Sequence, residues 1–247
     1  MADVRASSLL FLRRCLAAAQ GFSRIRIPAS LAAWAQLLPG DAAQSARHWP
    51  GVGLLAAMAG CVVFALVSLP LPPGPLSPLV AAVAASMAMV LVAGTRSEEG
   101  AARCTGTAGL VLILAARLAL LALLGLHSGV GLLTALLGAA ALSRLFALLA
   151  AWSLPPRTGQ AQHPLLQRAD RGALVAAALW CVVPLLLMLL AAGVKFLLAP
   201  LAVSAAAFAV LRQRFQRRGG VGLEDIGFAQ QACELAFYLG AAFGLPR

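Results

Sequence analysis

Apolar residues occur in long blocks along the chain, and polar or proline-rich segments separate the blocks. A transmembrane helix needs about 17–25 apolar residues. Six blocks of that length are present, at residues 51–71, 77–94, 106–126, 129–151, 173–192 and 194–211. A seventh block, 226–244, is less apolar because it contains Gln230, Gln231 and Glu234. The pattern predicts an all-α, polytopic integral membrane helix bundle with six or seven transmembrane helices.

The segments between the blocks support these limits. The stretch PLPPGPLSP at 70–78 cannot remain helical, because proline has no backbone N–H and clashes with the preceding turn. His127-Ser128-Gly129 is a minimal link between helices, and residues 153–172 form a polar loop with three prolines. Lys195 lies in the turn between the fifth and sixth blocks.

The first 50 residues differ from the rest of the chain. Arg5, Arg13 and Arg14 interrupt any apolar signal-peptide core, so we expect an amphipathic helix at the membrane surface. We therefore divide the chain into a cytoplasmic amphipathic N-terminal region, 1–50, and a transmembrane helical domain, 51–247.

Basic residues are confined to alternate connections. Residues 1–50, 95–105, 153–172 and 212–218 contain 15 of the 19 Lys and Arg residues, whereas 70–78 and 127–128 contain none. Lys and Arg collect in short cytoplasmic loops. The distribution predicts a multi-pass membrane protein with a cytoplasmic N-terminus.

Composition narrows the class of protein. Of the 247 residues, 62% are hydrophobic and 11% are charged, and the mean hydropathy is +0.91. A soluble fold cannot bury that much apolar surface. This argues against a soluble enzyme, a disordered chain or a disulfide scaffold. The formal net charge of +11 would suggest nucleic acid in a soluble domain. Here the arginines lie between apolar blocks, so we expect the lipid bilayer and no nucleic acid as a partner.

Two adjacent pairs of carboxylates are candidate metal ligands. Glu98 and Glu99 lie between the second and third blocks, and Glu224 and Asp225 precede the last block. Both pairs are predicted at the cytoplasmic membrane boundary. Carboxylates converging there could bind Mg²⁺, which takes oxygen ligands and often bridges to a substrate phosphate. The alternative is that both pairs are solvated loop charges.

Arginines provide candidate phosphate ligands. Arg217 and Arg218, followed by Gly219 and Gly220, end the basic run 212–218. This run anchors the helix end to anionic headgroups, and the glycines would also let the backbone approach a phosphate. Arg117 and Arg144 lie inside apolar blocks, where a charge either faces a polar cleft or extends to the headgroups. The scattered cysteines and histidines support no zinc site.

A set of segments in the same order resembles the cobalamin synthase family, the adenosylcobinamide-GDP ribazoletransferases. The matching segments are QGFSRIRIP (20–28), SARHWPGVGLL (45–55), VAG (92–94), GTAGLVLILAARLALL (106–121), LSRLFALL (142–149) and RRGGVGLEDIGFAQQACELAF (217–237).

The resemblance implies a transferase of cobalamin (vitamin B12) biosynthesis in the bacterial inner (plasma) membrane. That reaction joins adenosylcobinamide-GDP to α-ribazole and releases GMP, with Mg²⁺ as cofactor. The resemblance also implies that Mg²⁺ is bound by ligands among Glu98, Glu99, Glu224 and Asp225. The phosphates would be neutralised by Arg96, Arg144, Arg217 and Arg218, with Gly219 and Gly220 beside them. Other cobalamin-assembly enzymes are candidate partners.

The sequence departs from the family pattern at two motifs. The family carries His-x-Asp-Gly and further aspartates after the second span, whereas this chain has Arg96, Glu98 and Glu99 in a shorter segment. Near the C-terminus, Val221-Gly222-Leu223-Glu224 replaces the usual x-Thr-Gly-Asp. The contracted 95–105 segment keeps open an alternative function, a catalytically inactive relative that serves as a membrane partner or scaffold. A small-solute transporter is less consistent with the sequence, since no inverted repeat is visible.

Overall fold

A computed structural model describes residues 2–35, 44–157, 159, 163–167 and 171–245. Within these residues the chain forms eight α-helices and no β-strand. They are α1 (Ala2–Phe22), α2 (Ala29–Ala35), α3 (Trp49–Ser68), α4 (Ser77–Ala93), α5 (Arg96–His127), α6 (Gly129–Ser153), α7 (Arg171–Arg217) and α8 (Leu223–Gly244). Short 3-10 turns occupy Ala46–His48 and Pro164–Leu166. The expected all-α helix bundle is confirmed.

Four of the described helices are long and apolar enough to cross a membrane. They are the helices that contain residues 46–68, 96–127, 129–153 and 171–217, and α4 is a shorter apolar helix. Most of the apolar stretch of α6 is buried, whereas α5 and α7 leave most of theirs exposed. Exposed leucine and valine side chains along helices of this length are typical of a surface that faces lipid. The chain is a multi-pass membrane protein.

Helix α7 is two antiparallel arms joined at Gly193. Gly193 has φ 82° and ψ −176°, a conformation that is open only to glycine. In the first arm, Met188 packs near Gly138 of α6. In the second arm, Phe196 packs near Gly131, and Arg212 reaches Ser153 at the opposite end of α6. The fifth and sixth predicted spans are therefore confirmed as separate passes that meet at residue 193.

Helix α8 is the centre of the bundle. It packs against α5, α6 and α7, and two of its aromatic side chains, Phe237 and Tyr238, are fully buried. It approaches the second arm of α7 closely, because a Cβ on Gly240 would lie 2.4 Å from Cα of Pro200. Neighbouring helices shield its polar side chains from lipid, which explains why it is less apolar than a lipid-facing span.

The connections gather at two ends of the bundle, as the distribution of basic residues predicts. At one end, which we call the cleft end, Arg157 N donates to Val221 O, and Arg24 N donates to Val92 O. At the other end, Gly125 lies against Pro78, and Gly131 and Gly244 both lie against Phe196.

One predicted loop is wrong. Residues 95–105 were expected to be a cytoplasmic loop, but α5 begins at Arg96 and bends at Gly106, where φ is 76° and ψ 171°. Glu98 and Glu99 lie in the first turn of this helix. Negative side chains stabilise a helix there, because they interact favourably with its free backbone N–H groups. Ala101 is fully buried, so the segment is an amphipathic helix that packs inward.

The turn at Gly193 provides a test of the hairpin. In Gly193→Ala, an alanine would have to adopt a backbone conformation that costs about 1–3 kcal/mol for residues other than glycine. We expect a lower apparent Tm in detergent, measured by thermal unfolding. Gly129→Ala is the control, because Gly129 is the first residue of α6 and a Cβ there meets no atom within 4 Å. Equal melting temperatures for the two variants would contradict the hairpin.

Candidate active site

A cleft of about 320 Å³ opens at the cleft end of the bundle. Helices α5 and α8 supply most of its charged lining, while α1, α3 and the 3-10 turn at Pro164–Leu166 complete the walls. Its lining residues are Phe22, Trp49, Ala93, Gly94, Arg96, Ser97, Glu99, Gly100, Arg103, Arg144, His163, Leu165, Leu223, Glu224, Ile226, Gly227 and Gln230. Its lining combines three arginines with two carboxylates.

Two glycines allow the helices that form the cleft to approach each other. A Cβ on Gly100 of α5 would lie 2.7 Å from the backbone oxygen of Glu224. A Cβ on Gly227 of α8 would lie 2.9 Å from the backbone oxygen of Arg96. The first turns of α5 and α8 therefore touch backbone to backbone. This contact brings the two predicted carboxylate pairs to neighbouring positions.

The four carboxylates do not share one environment. Glu99 and Glu224 line the cleft, whereas Glu98 lies in a small adjoining pocket. Thr95 Oγ1 donates to Glu99 Oε1 at 2.7 Å, and Gln231 Nε2 donates to Glu98 Oε1 at 3.0 Å. Asp225 is fully buried outside the cleft. The Mg²⁺ ligand set of all four residues stays a prediction.

Asp225 and Glu224 share one cation, Arg157. Arg157 Nη2 lies 2.8 Å from Asp225 Oδ2, and Nη1 lies 2.6 Å from Glu224 Oε1. Asp225 Oδ2 also accepts a hydrogen bond from the backbone N–H of Gly222 at the start of α8. Asp225 therefore fixes the helix end and its connection to 155–157. This role is not visible in the sequence, where Arg157 is one of several basic residues in the polar segment 153–172.

The predicted arginines fall into two groups. Arg96 and Arg144 line the cleft, together with Arg103, which the sequence analysis did not single out. Arg144 is 4% exposed, and its Nη1 donates to Ala140 O at 2.8 Å. Its Nε is buried without a hydrogen-bond partner among the described residues. A buried guanidinium with unmet donors is suited to an anionic ligand.

Arg217, Arg218, Gly219 and Gly220 do not line the cleft. The two arginines are exposed, and Gly220 has φ 133° in a turn against Pro155, where a Cβ would lie 2.3 Å from the Pro155 backbone oxygen. Val221 N donates to the same oxygen at 2.9 Å. The glycines thus serve the turn between α7 and α8 in this structure, and their contact with phosphate stays a prediction.

His163 contributes a neutral group to the cleft wall. Burial, and secondarily the nearby Arg96, lower the pKa of the His163 imidazole below its ordinary value. The ring is therefore uncharged at neutral pH. Its Nδ1 accepts a hydrogen bond from Leu165 N at 3.3 Å, so the ring proton lies on Nε2. His163 can donate to a ligand without adding charge.

A buried ion pair lies deeper, below the cleft. Arg117 Nη2 of α5 is 3.0 Å from Glu234 Oε1 of α8, and Tyr238 Oη donates to the same oxygen at 3.1 Å. The adjoining pocket also contains Glu98, Gln231 and Arg144. Opposite charges inside two apolar blocks were the available signal for this pair, but the spacing along the sequence does not show which helices touch.

Among the described residues, no group of three or more His, Cys, Asp and Glu side chains is close enough to hold one metal ion. The described residues therefore do not form a metal site in which three or more of these side chains supply the ligands. Glu99 and Glu224 remain as two carboxylates on one cleft.

Comparison with known proteins identifies the family. Residues 103–242 match the family model described as cobalamin-5-phosphate synthase, which is more than half of the chain. The chain belongs to the cobalamin-5-phosphate synthase family. The matched range begins at Arg103 and includes Arg144 and the charged first turn of α8, whereas the first turn of α5, with Arg96 and Glu99, lies before it.

Curated relatives match nearly the whole chain. A protein from Polaromonas sp. is 33% identical over 276 aligned positions, which cover 95% of this chain and 98% of the relative. One from Albidiferax ferrireducens is 32% identical, with 95% and 99% covered, and one from Polaromonas naphthalenivorans is 33% identical, with 96% and 100% covered. Each is named adenosylcobinamide-GDP ribazoletransferase. No solved structure matches.

The buried ion pair yields a prediction about stability. Glu234→Leu leaves the Arg117 charge buried without its partner, which costs about 3–5 kcal/mol in comparable pairs. Arg117→Met combined with Glu234→Leu removes both charges and should restore much of the apparent Tm. Thermal unfolding of the two single variants and the double variant in detergent measures the coupling. If the losses of the single variants simply add in the double variant, the pair contributes no coupling.

Proposed function

We propose that the protein is an adenosylcobinamide-GDP ribazoletransferase whose reaction takes place in the cleft between α5 and α8. The observation that carries the proposal is the lining of this cleft, where Arg96, Arg103 and Arg144 lie with Glu99 and Glu224. The family and the printed names of the relatives supply the reaction class. Neither gives support to the alternative of an inactive partner or scaffold.

The charges of the cleft suit a diphosphate. In the proposed reaction a hydroxyl of ribazole forms a bond to a phosphorus of the GDP moiety, the bond between the two phosphates breaks, and GMP leaves. Phosphoryl transfer depends on positioning and on stabilising the charge of the phosphate oxygens. Arg144 is held rigidly by burial, whereas Arg96 and Arg103 are exposed at the mouth. We assign Arg144 to the transferred phosphate.

Glu99 and Glu224 would hold Mg²⁺, the cofactor that the family resemblance implies. Mg²⁺ is usually bound through one or two carboxylates plus substrate phosphates, and it keeps several waters. Two carboxylates on the wall of one cleft fit this mode, with the diphosphate completing the ligands. The ion would supply positive charge to the phosphate oxygens. The contacts with Thr95 and Arg157 orient the two carboxylates.

The cleft end faces the cytoplasm of the bacterial inner membrane in this proposal. The basic connections lie at this end, and Lys and Arg favour the cytoplasmic side. Both substrates would then reach the cleft from the aqueous phase. Other cobalamin-assembly enzymes are candidate partners at the same surface.

The activity is tested with the full chain reconstituted in vesicles, with adenosylcobinamide-GDP, Mg²⁺ and either ribazole or its 5-phosphate. We expect release of GMP together with a nucleotide-bearing corrinoid. Arg144→Gln should lower kcat/KM about 100-fold, as the loss of one charge-stabilising donor does in other enzymes. Arg144→Lys should be intermediate, because lysine keeps the charge and loses the planar donor geometry.

Arg26→Gln is the matched control, since Arg26 is exposed and does not line the cleft. Failure of the wild-type protein to release GMP with either acceptor would refute the transferase function. Full activity in Arg144→Gln would refute the assignment of Arg144 while leaving that function intact.

The Mg²⁺ assignment predicts a change in metal dependence. Glu99→Gln should raise the Mg²⁺ concentration for half-maximal GMP release at least about ten-fold, comparable to the loss of a group that supports a metal ligand. Excess Mg²⁺ should restore part of kcat. Glu224→Gln should behave similarly but also loses its contact with Arg157, so Glu99→Gln is the cleaner variant. An unchanged Mg²⁺ titration in both variants would rule out this ligand pair.

A further inference from the structure

A second pocket, of about 570 Å³, lies apart from the cleft. It is bounded by α1, the 3-10 turn Ala46–His48 and the first arm of α7. Its lining residues are Leu10, Phe11, Arg14, Arg47, His48, Ala176, Leu179 and Trp180. Trp49, the neighbour of His48, lines the cleft, so the two cavities lie on either side of this short turn.

The pocket carries two positive charges without a matching carboxylate. Arg14 and Arg47 both contribute to its lining, and none of the described lining residues is acidic. Arg14 Nε is buried and has no hydrogen-bond partner among the described residues. Arg47 Nε donates to Gln44 O at 2.9 Å, and this hydrogen bond restrains the guanidinium that lines the pocket. Unmet guanidinium donors are suited to a phosphate oxygen.

The rest of the lining is apolar or aromatic and is held in place. Phe11 stacks on Trp180 at 6.2 Å between ring centroids, and meets His48 edge to face at 5.2 Å. Trp180 Nε1 donates to His48 Nδ1 at 3.2 Å. The indole ring of Trp180 also lies over Gly51, where a Cβ would be 2.8 Å from its ring carbons. These contacts make a preformed wall.

The pocket adjoins the lipid-facing surface. Leu179 is exposed, and exposed Val175, Val182 and Val183 flank it along the first arm of α7. Leu10 and Phe11 of α1 are exposed as well. The two arginines therefore lie at the edge of an exposed apolar surface. This arrangement is complementary to an anionic phospholipid, whose charged headgroup is joined to apolar acyl chains.

We propose that this pocket binds one anionic phospholipid from the surrounding bilayer. Its phosphate lies against Arg14 and Arg47, and an acyl chain lies along Leu179 towards the exposed valines. A free phosphate or nucleotide shares the anionic group but gains nothing from the apolar half of the pocket. The inference does not rest on the proposed function, because it concerns a cavity outside the cleft.

The test uses the purified full chain in a neutral detergent, with lipid binding followed by native mass spectrometry. We expect phosphatidylglycerol to bind more tightly than phosphatidylcholine. The double variant Arg14→Gln with Arg47→Gln should weaken phosphatidylglycerol binding about 30-fold, since each basic residue near an anionic headgroup contributes about one kilocalorie per mole. Arg14→Lys with Arg47→Lys keeps both charges and should stay within a few-fold of wild type.

Two further variants separate the pocket from general surface charge. Ala176→Trp fills the cavity without changing charge and should also weaken phosphatidylglycerol binding, whereas Arg26→Gln removes an exposed charge elsewhere and should not. Equal binding of the two lipids, or wild-type affinity in both the double variant and Ala176→Trp, would overturn the proposal. So would inorganic phosphate that displaces the lipid at equal concentration. Lipid binding is measured without the GMP-release assay, so its result is independent of whether the protein has transferase activity.

Discussion

Each acidic residue of α8 is paired with a cation from another segment, and this pairing holds the central helix inside the bundle. Asp225 and Glu224 meet Arg157 from the polar connection before α7, and Glu234 meets Arg117 of α5. An unpaired charge at membrane depth is costly, so Glu234 can lie in the interior only beside a cation such as Arg117. This pair therefore favours the contact between α5 and α8 over arrangements that would leave either charge unpaired.

The same requirement explains what could be predicted from the sequence. The bilayer sets the length of a span, so the passes and the hairpin at Gly193 follow from apolar blocks and turn residues. The pairings do not follow, because Arg117 and Glu234 are distant along the chain and only packing brings them together. The error at 95–105 has a related cause. Its charged residues resemble those of a loop, but the small residues Gly100 and Ala101 provide a buried face that pattern alone does not reveal.

The candidate site was predicted in outline, with a different division of roles. Carboxylates and arginines do gather at the contact of α5 and α8, as the sequence implied. Asp225, however, is engaged by Arg157 and the N-terminus of α8, while Glu98 lies in the pocket beneath the cleft. Two carboxylates on the cleft wall fit an Mg²⁺ site that the substrate's phosphates complete. In the proposed site, the diphosphate would supply the ligands that the shortened acidic motif lacks.

Helix α1 connects the two cavities. Phe11 and Arg14 face the second pocket, while Phe22 at its other end lines the cleft. Arg96 Nη1 donates to Gly21 O at 2.9 Å, and Arg24 Nη2 donates to Thr95 Oγ1 at 3.2 Å, so the start of α5 holds the end of α1 at the cleft. A lipid bound beside Phe11 and Arg14 would hold the middle of the same helix as a second point of attachment. The position of Phe22 on the cleft wall would then depend in part on the membrane surface, because both contacts lie on one continuous helix.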